Sequence, residues 1–155
     1  IAPSLRISYM VLPLHLLKKY QESCSFYSTT VSKIQQEVLR EFIRGGYFGR
    51  HLNKMRGIYK NKHDFLVGEL KKRPWVENIA GDNAGLHVLV QVDTQMSEEE
   101  LCERAAEQGI HLMGISEHYI HKPPVSKPVL LLGYGKPDEK RILEGLNRLE
   151  HMILK

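Results

Sequence analysis

Cysteine is scarce in this chain: Cys24 and Cys102 are the only two in 155 residues. They lie far apart and form no CxxC pair, which excludes a disulfide framework and a cysteine-built structural zinc site, and fits a reducing cytoplasm. Long apolar runs are missing too. The longest, around Val129 to Leu132, has the length of a short buried strand, far below the roughly 18 residues a membrane-spanning helix needs. A strong excess of one charge is also absent, since 22 Lys and Arg face 18 Asp and Glu for a net charge of +4. What is present, 42% hydrophobic and 26% charged residues, is the balance of a soluble globular protein and excludes disorder as the main state. No signal peptide precedes Ile1-Ala2-Pro3-Ser4, an opening expected of a piece of a longer polypeptide.

Periodicity divides the rest. Leu5 to Leu12 alternates, with Leu5, Ile7, Tyr9 and Val11 on one face and Arg6 and Ser8 on the other, and predicts a strand. Pro13 closes it and opens a short amphipathic helix through Leu14, Leu16, Leu17 and Tyr20, followed by a loop over Ser23 to Ser28. Thr29 or Thr30 is expected to cap a helix carrying Val31, Ile34, Val38, Leu39, Phe42 and Ile43, ended by Gly45-Gly46. Tyr47 to Lys72 keeps helical spacing until Pro74 stops it. The run from Leu86 to Val92 reads as a strand. Ser97-Glu98-Glu99-Glu100 is a capping box, with the Ser97 hydroxyl and the Glu100 carboxylate each satisfying an amide of a helix that ends at Gly109. Ile110 to Ile115 and Val129 to Leu132 are further expected strands, joined by a loop with three prolines. Pro137-Asp138-Glu139 opens a last helix with Ile142, Leu143, Leu146, Leu149 and Ile153 as its buried stripe.

From Gly85 onward this order of strand, helix, strand, strand, helix predicts an α+β fold, a small sheet with helices packed on one side. Residues 1–45 do not belong to that pattern. They are read as the tail of a truncated larger domain with its connecting helix, and 46–155 as a small C-terminal domain. The first strand and the helix from Val31 to Ile43 would then lack partners, and a second copy of the chain would cover them, as in a swapped dimer.

Few residues suggest chemistry by themselves. Glu117, His118 and His121 form the nearest metal-type cluster, but Pro123-Pro124 follow at once and no further ligand is placed, so loop histidines are the stronger reading. Gly133-Tyr134-Gly135 has half of a phosphate-cradling pattern, and a tight turn feeding the helix cap explains it better. The basic residues of Arg50 to Arg73 surround their helix and are interrupted by Asp64 and Glu69, which describes a solvated face more than a nucleic-acid surface. Nothing orders a base beside Cys24, despite His15 upstream, or beside Cys102. Arg6 divides evenly between an exposed strand cation and an anion receptor.

The stretch Ile1-Ala2-Pro3-Ser4-Leu5-Arg6-Ile7-Ser8-Tyr9-Met10-Val11-Leu12-Pro13 resembles the segment following the cofactor lysine in the aminotransferase-like domain of MocR/GabR-type regulators of the GntR family. Val31-Ser32 with Gln35-Gln36, Phe42-Ile43-Arg44-Gly45-Gly46-Tyr47-Phe48, His51-Leu52 through Met55-Arg56 to Tyr59, Ala84-Gly85-Leu86-His87 and Leu130 to Gly135 continue the resemblance over essentially the whole chain. It implies a fold-type-I domain binding pyridoxal 5'-phosphate and an amino-acid or amine effector, a homodimer in the cytoplasm, and DNA binding through a separate N-terminal winged-helix domain.

By the same resemblance the lysine that binds the cofactor covalently would sit two positions before Ile1. The chain alone is therefore expected to be catalytically inactive and to bind no cofactor by itself. Arg6 matches the arginine that pairs with the cofactor phosphate, where a guanidinium fork suits a dianion. The arginine that clamps a substrate carboxylate before the last strand has no counterpart, and Lys127 stands as its substitute. Ser8 replaces the glycine usual after Arg-Ile. Two other readings stay open: part of a pyridoxal-phosphate aminotransferase with no DNA-binding domain, and an autonomous α+β ligand-binding or interaction module.

Overall fold

Pro13 starts the first helix in the computed structural model, which describes residues 6–27, 31–81, 85–120 and 127–155. Its carbonyl accepts the N–H groups of Leu16 and Leu17 at 2.9 Å, and α1 runs over Leu14–Cys24. Ahead of it the expected strand is absent: residues 6–13 form no ladder, and Tyr9 and Val11 are exposed. Alternation sets which side chains would share a face but supplies no partner for the backbone, and among the described residues no strand pairs with this one.

The chain forms two compact units, Ile1–Met55 and Arg56–Lys155. In the first unit α2 covers Lys33–Arg44, and its cap is Ser32, whose Oγ accepts the Gln35 N–H at 3.2 Å. Thr29 and Thr30, the expected caps, lie outside the described residues. Gly46, with φ of 71°, makes the left-handed turn that ends α2, a conformation glycine adopts without steric cost. Phe42 stacks on Tyr47 and meets Phe48 edge-on, while the Arg50 guanidinium lies 4.7 Å from the Tyr47 ring centre. Ile34, Val38 and Ile43 on α2 stay exposed. The third helix, α3, spans Tyr47–Leu70.

In the second unit four strands build one antiparallel sheet: β1 Val76–Ala80, β2 His87–Val92, β3 Met113–Gly114 and β4 Val129–Gly133, in the order β1-β2-β4-β3. Helices α4, Glu98–Glu107, and α5, Glu139–Ile153, join the C-terminal part of α3 in this unit. The alternation of β2 and β4 sends Val88, Val90, Val92, Leu130 and Leu132 to one side, which Leu66, Val67 and Leu70 of α3, Leu101 and Ala105 of α4, and Ile142, Leu146 and Leu149 of α5 bury. Trp75, 1% exposed, closes this core from the turn before β1. The expected α+β arrangement of a small sheet with helices on one side is present.

Three details differ from expectation. β1 has only two apolar residues beyond Ala80, too few to announce a strand. The stretch from Ile110 pairs only at Met113 and Gly114, then tightens into a 3-10 turn over Ile115–His118. In the predicted stripe of α5, Leu143 is exposed and Ile153 only partly covered.

Candidate functional site

Arg6 lies in the first unit, ahead of α1, in the left-handed region with φ of 49°. Such a backbone is costly for a residue with a Cβ and marks a position worth a functional reading. The side chain is exposed and has no ion pair among the described residues. A free planar guanidinium has the donor set to hold a phosphate dianion.

Lys127 sits elsewhere in chemistry as well as in sequence. Its ammonium donates to Glu77 Oε1 at 2.7 Å and to Asp93 Oδ1 at 3.0 Å, tying together β1, the end of β2 and the approach to β4. The hydrogen bond to Glu77, then that to Asp93, holds the amine above its ordinary pKa. Two carboxylates already answer this one cation, so a substrate carboxylate would have to displace them. Arg6 and Lys127 fall in different units.

The Gly133-Tyr134-Gly135 segment is a pinned turn. Tyr134 donates its backbone N–H to the Leu86 carbonyl at 3.0 Å and its hydroxyl to the Gly85 carbonyl at 2.8 Å, and Lys62 Nζ donates to the Gly135 carbonyl at 3.1 Å. The start of α5 is capped by Asp138, whose carboxylate accepts the Arg141 N–H at 2.8 Å. Glu117 and His118 lie in the 3-10 turn and His121 lies outside the described residues. Among the described residues no three His, Cys, Asp or Glu side chains come together as a metal site.

One structurally important carboxylate has no clear sequence signal. The capping box forms in part: the Ser97 hydroxyl accepts the Glu100 N–H at 3.1 Å, but the Glu100 carboxylate pairs with Arg104 at 2.7 Å. It is Glu98 that reaches the sheet, accepting the N–H of Ser116 and of Val129. Cys102, on the same helix, is partly covered. Burial first, and the nearby Glu117 next, push its thiol pKa up, which opposes a nucleophilic role.

No protein-family model matches the chain. Over 150 residues it is 40% identical to YdeL of Bacillus subtilis, an uncharacterized HTH-type transcriptional regulator, covering 96% of this chain and 32% of YdeL. It is 30% identical over 154 residues to the probable rhizopine catabolism regulatory protein MocR of Rhizobium meliloti, covering 98% of this chain and 31% of MocR. The chain thus spans about a third of the curated relatives it matches. Among solved structures, LysN, the α-aminoadipate aminotransferase of Thermus thermophilus, matches with a TM-score of 0.79 at 21% identity, over 98% of this chain and 39% of LysN. The multiple substrate aminotransferase of Thermococcus profundus matches with a TM-score of 0.76 at 21% identity, over 91% and 35% of the two chains. At that identity the structures speak for the fold alone: it is that of a part of fold-type-I aminotransferases.

Proposed function

We propose that this chain, part of the aminotransferase-like domain of a MocR-type regulator, is a sensory segment of a DNA-binding transcriptional regulator. One observation carries this reading. Over nearly the whole chain, identity is 40%, 35% and 30% to HTH-type regulators and MocR, against 21% to an aromatic-amino-acid aminotransferase over a comparable stretch. The DNA contact belongs, in this reading, to a winged-helix domain elsewhere in the polypeptide.

Pyridoxal 5'-phosphate is the cofactor this reading implies; LysN was solved with N-(5'-phosphopyridoxyl)-L-leucine. When bound, it supplies a carbonyl for amines and an electron sink. Arg6 would hold its phosphate, an assignment supported by the exposed guanidinium without an ion pair. In this reading the part that Arg6 plays is to bind the cofactor. An amino acid or amine is the effector class, and the full protein acts as a cytoplasmic homodimer. Among the described residues no helix is long and apolar enough to cross a membrane.

The test uses the complete regulator. It should retard its own promoter DNA in a gel shift, and Arg6→Ala should weaken pyridoxal-phosphate binding by about tenfold or more, the scale of a lost charged phosphate contact. Cofactor affinity unaltered by that change would remove the Arg6 assignment. Steady transamination without DNA binding would favour the second reading, a pyridoxal-phosphate aminotransferase, for which the 21% identity to an aromatic-amino-acid aminotransferase of Thermococcus litoralis speaks.

A further inference from the structure

A cavity of about 360 Å³ opens in the second unit beside the turn that leaves α4, the end of β4 and the first half of α5. That volume falls in the range of small-molecule sites, ~300–1,000 Å³. Leu66, Leu132, Ile142, Leu146 and Leu149 give it apolar walls. His111, Arg141 and Arg148 also line it, against one carboxylate, Glu144.

Two features keep the space open. Gly145 stands in the middle of α5 and lines the cavity, and a Cβ placed there would meet nothing within 4 Å. Glycine in a helix interior costs about 1 kcal/mol relative to alanine, and here it leaves unfilled the volume that a larger residue would occupy. The second feature is the shortness of β3. Tyr134 donates its N–H to Leu86, so the alternation of β4 turns the Gly133 N–H and C=O away from β2. β3 pairs only with Leu130 and Leu131. The backbone of Gly133 therefore lies past the end of that ladder, at the cavity wall.

The cations are differently engaged. Arg148 is steadied by donating from one guanidinium nitrogen to the Gln108 carbonyl at 3.0 Å. Arg141 is capped only through its backbone N–H, and its guanidinium has no ion pair among the described residues. Two guanidinium groups less Glu144 leave one net positive charge, which suits one carboxylate and not a polyanion.

We infer that this cavity binds a small amphipathic monocarboxylate, with its apolar body against the leucine and isoleucine side chains and its carboxylate on Arg141. The site uses residues of the second unit alone and does not depend on the cofactor.

Titration of the ¹⁵N-labelled chain with phenylpropionate, and separately with its neutral amide, tests this. The acid should give saturable shifts at the amides of Gly109, Gly133 and Gly145, and the neutral amide should bind at least about tenfold more weakly. Arg141→Gln should weaken the acid by a similar factor, and Gly145→Leu should abolish the shifts with a dispersed spectrum retained. If Gly145→Leu loses its fold, Arg141→Gln decides by itself. Absence of saturable shifts at these three amides, equal binding of acid and amide, or an Arg141→Gln chain that binds as before would each overturn the inference.

Discussion

Glu98 Oε1, at the first position of α4, accepts the backbone N–H of Val129 at 3.0 Å, while Oε2 accepts that of Ser116 at 2.9 Å. Val129 opens β4 on the side where β3 ends too early to pair with it. One half-buried carboxylate thereby satisfies two amides that a longer β3 and its continuation would otherwise have to serve. Hydrogen bonds of this kind contribute about 1.5–3 kcal/mol, and an orphaned buried amide costs a similar amount. Glu98→Ala should lower the unfolding free energy by about 2–3 kcal/mol, and Glu98→Gln, which keeps one acceptor oxygen, by about half of that. Urea unfolding followed by the fluorescence of Trp75, the single tryptophan and 1% exposed, measures it; an effect below about 0.5 kcal/mol, the level of an ordinary surface change, would remove the bridging role.

Gly114 should be coupled to the same carboxylate. Its φ of −80° is open to any residue, so backbone freedom is not why glycine stands there. A Cβ at this position would run into Oε2 of Glu98 and lie 3.1 Å from its Cβ and Cδ. Gly114→Ala must push away a side chain held by two hydrogen bonds, at a cost of about 1–3 kcal/mol. In a Glu98→Ala background most of that cost should vanish. A double-mutant cycle measures the coupling, expected above about 1 kcal/mol; simple additivity would show that the two residues act independently.

The parts of this fold that could be read from the sequence are those with a local cause. Helical spacing marks α3 and α5, a serine cap marks α4, and alternation marks β2 and β4. Each rests on neighbours within one or two turns. The misreadings share the opposite property. Leu5 to Leu12 has the alternation of a strand, but among the described residues nothing pairs with 6–12, and Val76–Ala80 has the partner, β2, with hardly any alternation. Glu98 is hidden behind Glu100, which completes the same capping signature. Lys127 meets carboxylates 50 and 34 residues away, a pairing no local spacing encodes. Arg6 gained a role only through resemblance to a family, and its unusual φ is visible only in three dimensions.

Cys102 should react more slowly in the native chain than in the unfolded one. Burial and the neighbouring Glu117 raise its pKa above the ordinary cysteine value, so less thiolate is present at pH 8 than for a free thiol. In a Cys24→Ser chain, reaction with an aromatic disulfide reagent should run at least several-fold slower native than in urea, and Glu117→Gln should speed the native rate. A native rate equal to the unfolded one would contradict the protection.

Tyr134 sets an alkaline limit. Its phenol donates to the Gly85 carbonyl at 2.8 Å and the residue is 4% exposed; burial raises its pKa above 10.0. Below the ordinary tyrosine pKa both states keep the proton, and the advantage of the buried neutral phenol is fully present. As pH climbs past that value the unfolded chain releases its proton first, so it binds fewer protons than the native state and stability falls. The loss should continue until pH passes the raised native pKa. Tyr134→Phe forfeits the hydrogen bond, about 1 kcal/mol at neutral pH, but carries no ionisable group. The stability difference between the native sequence and Tyr134→Phe should therefore be constant up to about pH 9 and shrink as pH rises past the ordinary tyrosine value of about 10. Urea midpoints across that range measure it, and a difference that stays constant throughout would mean that Tyr134 ionises alike in the folded and unfolded chain.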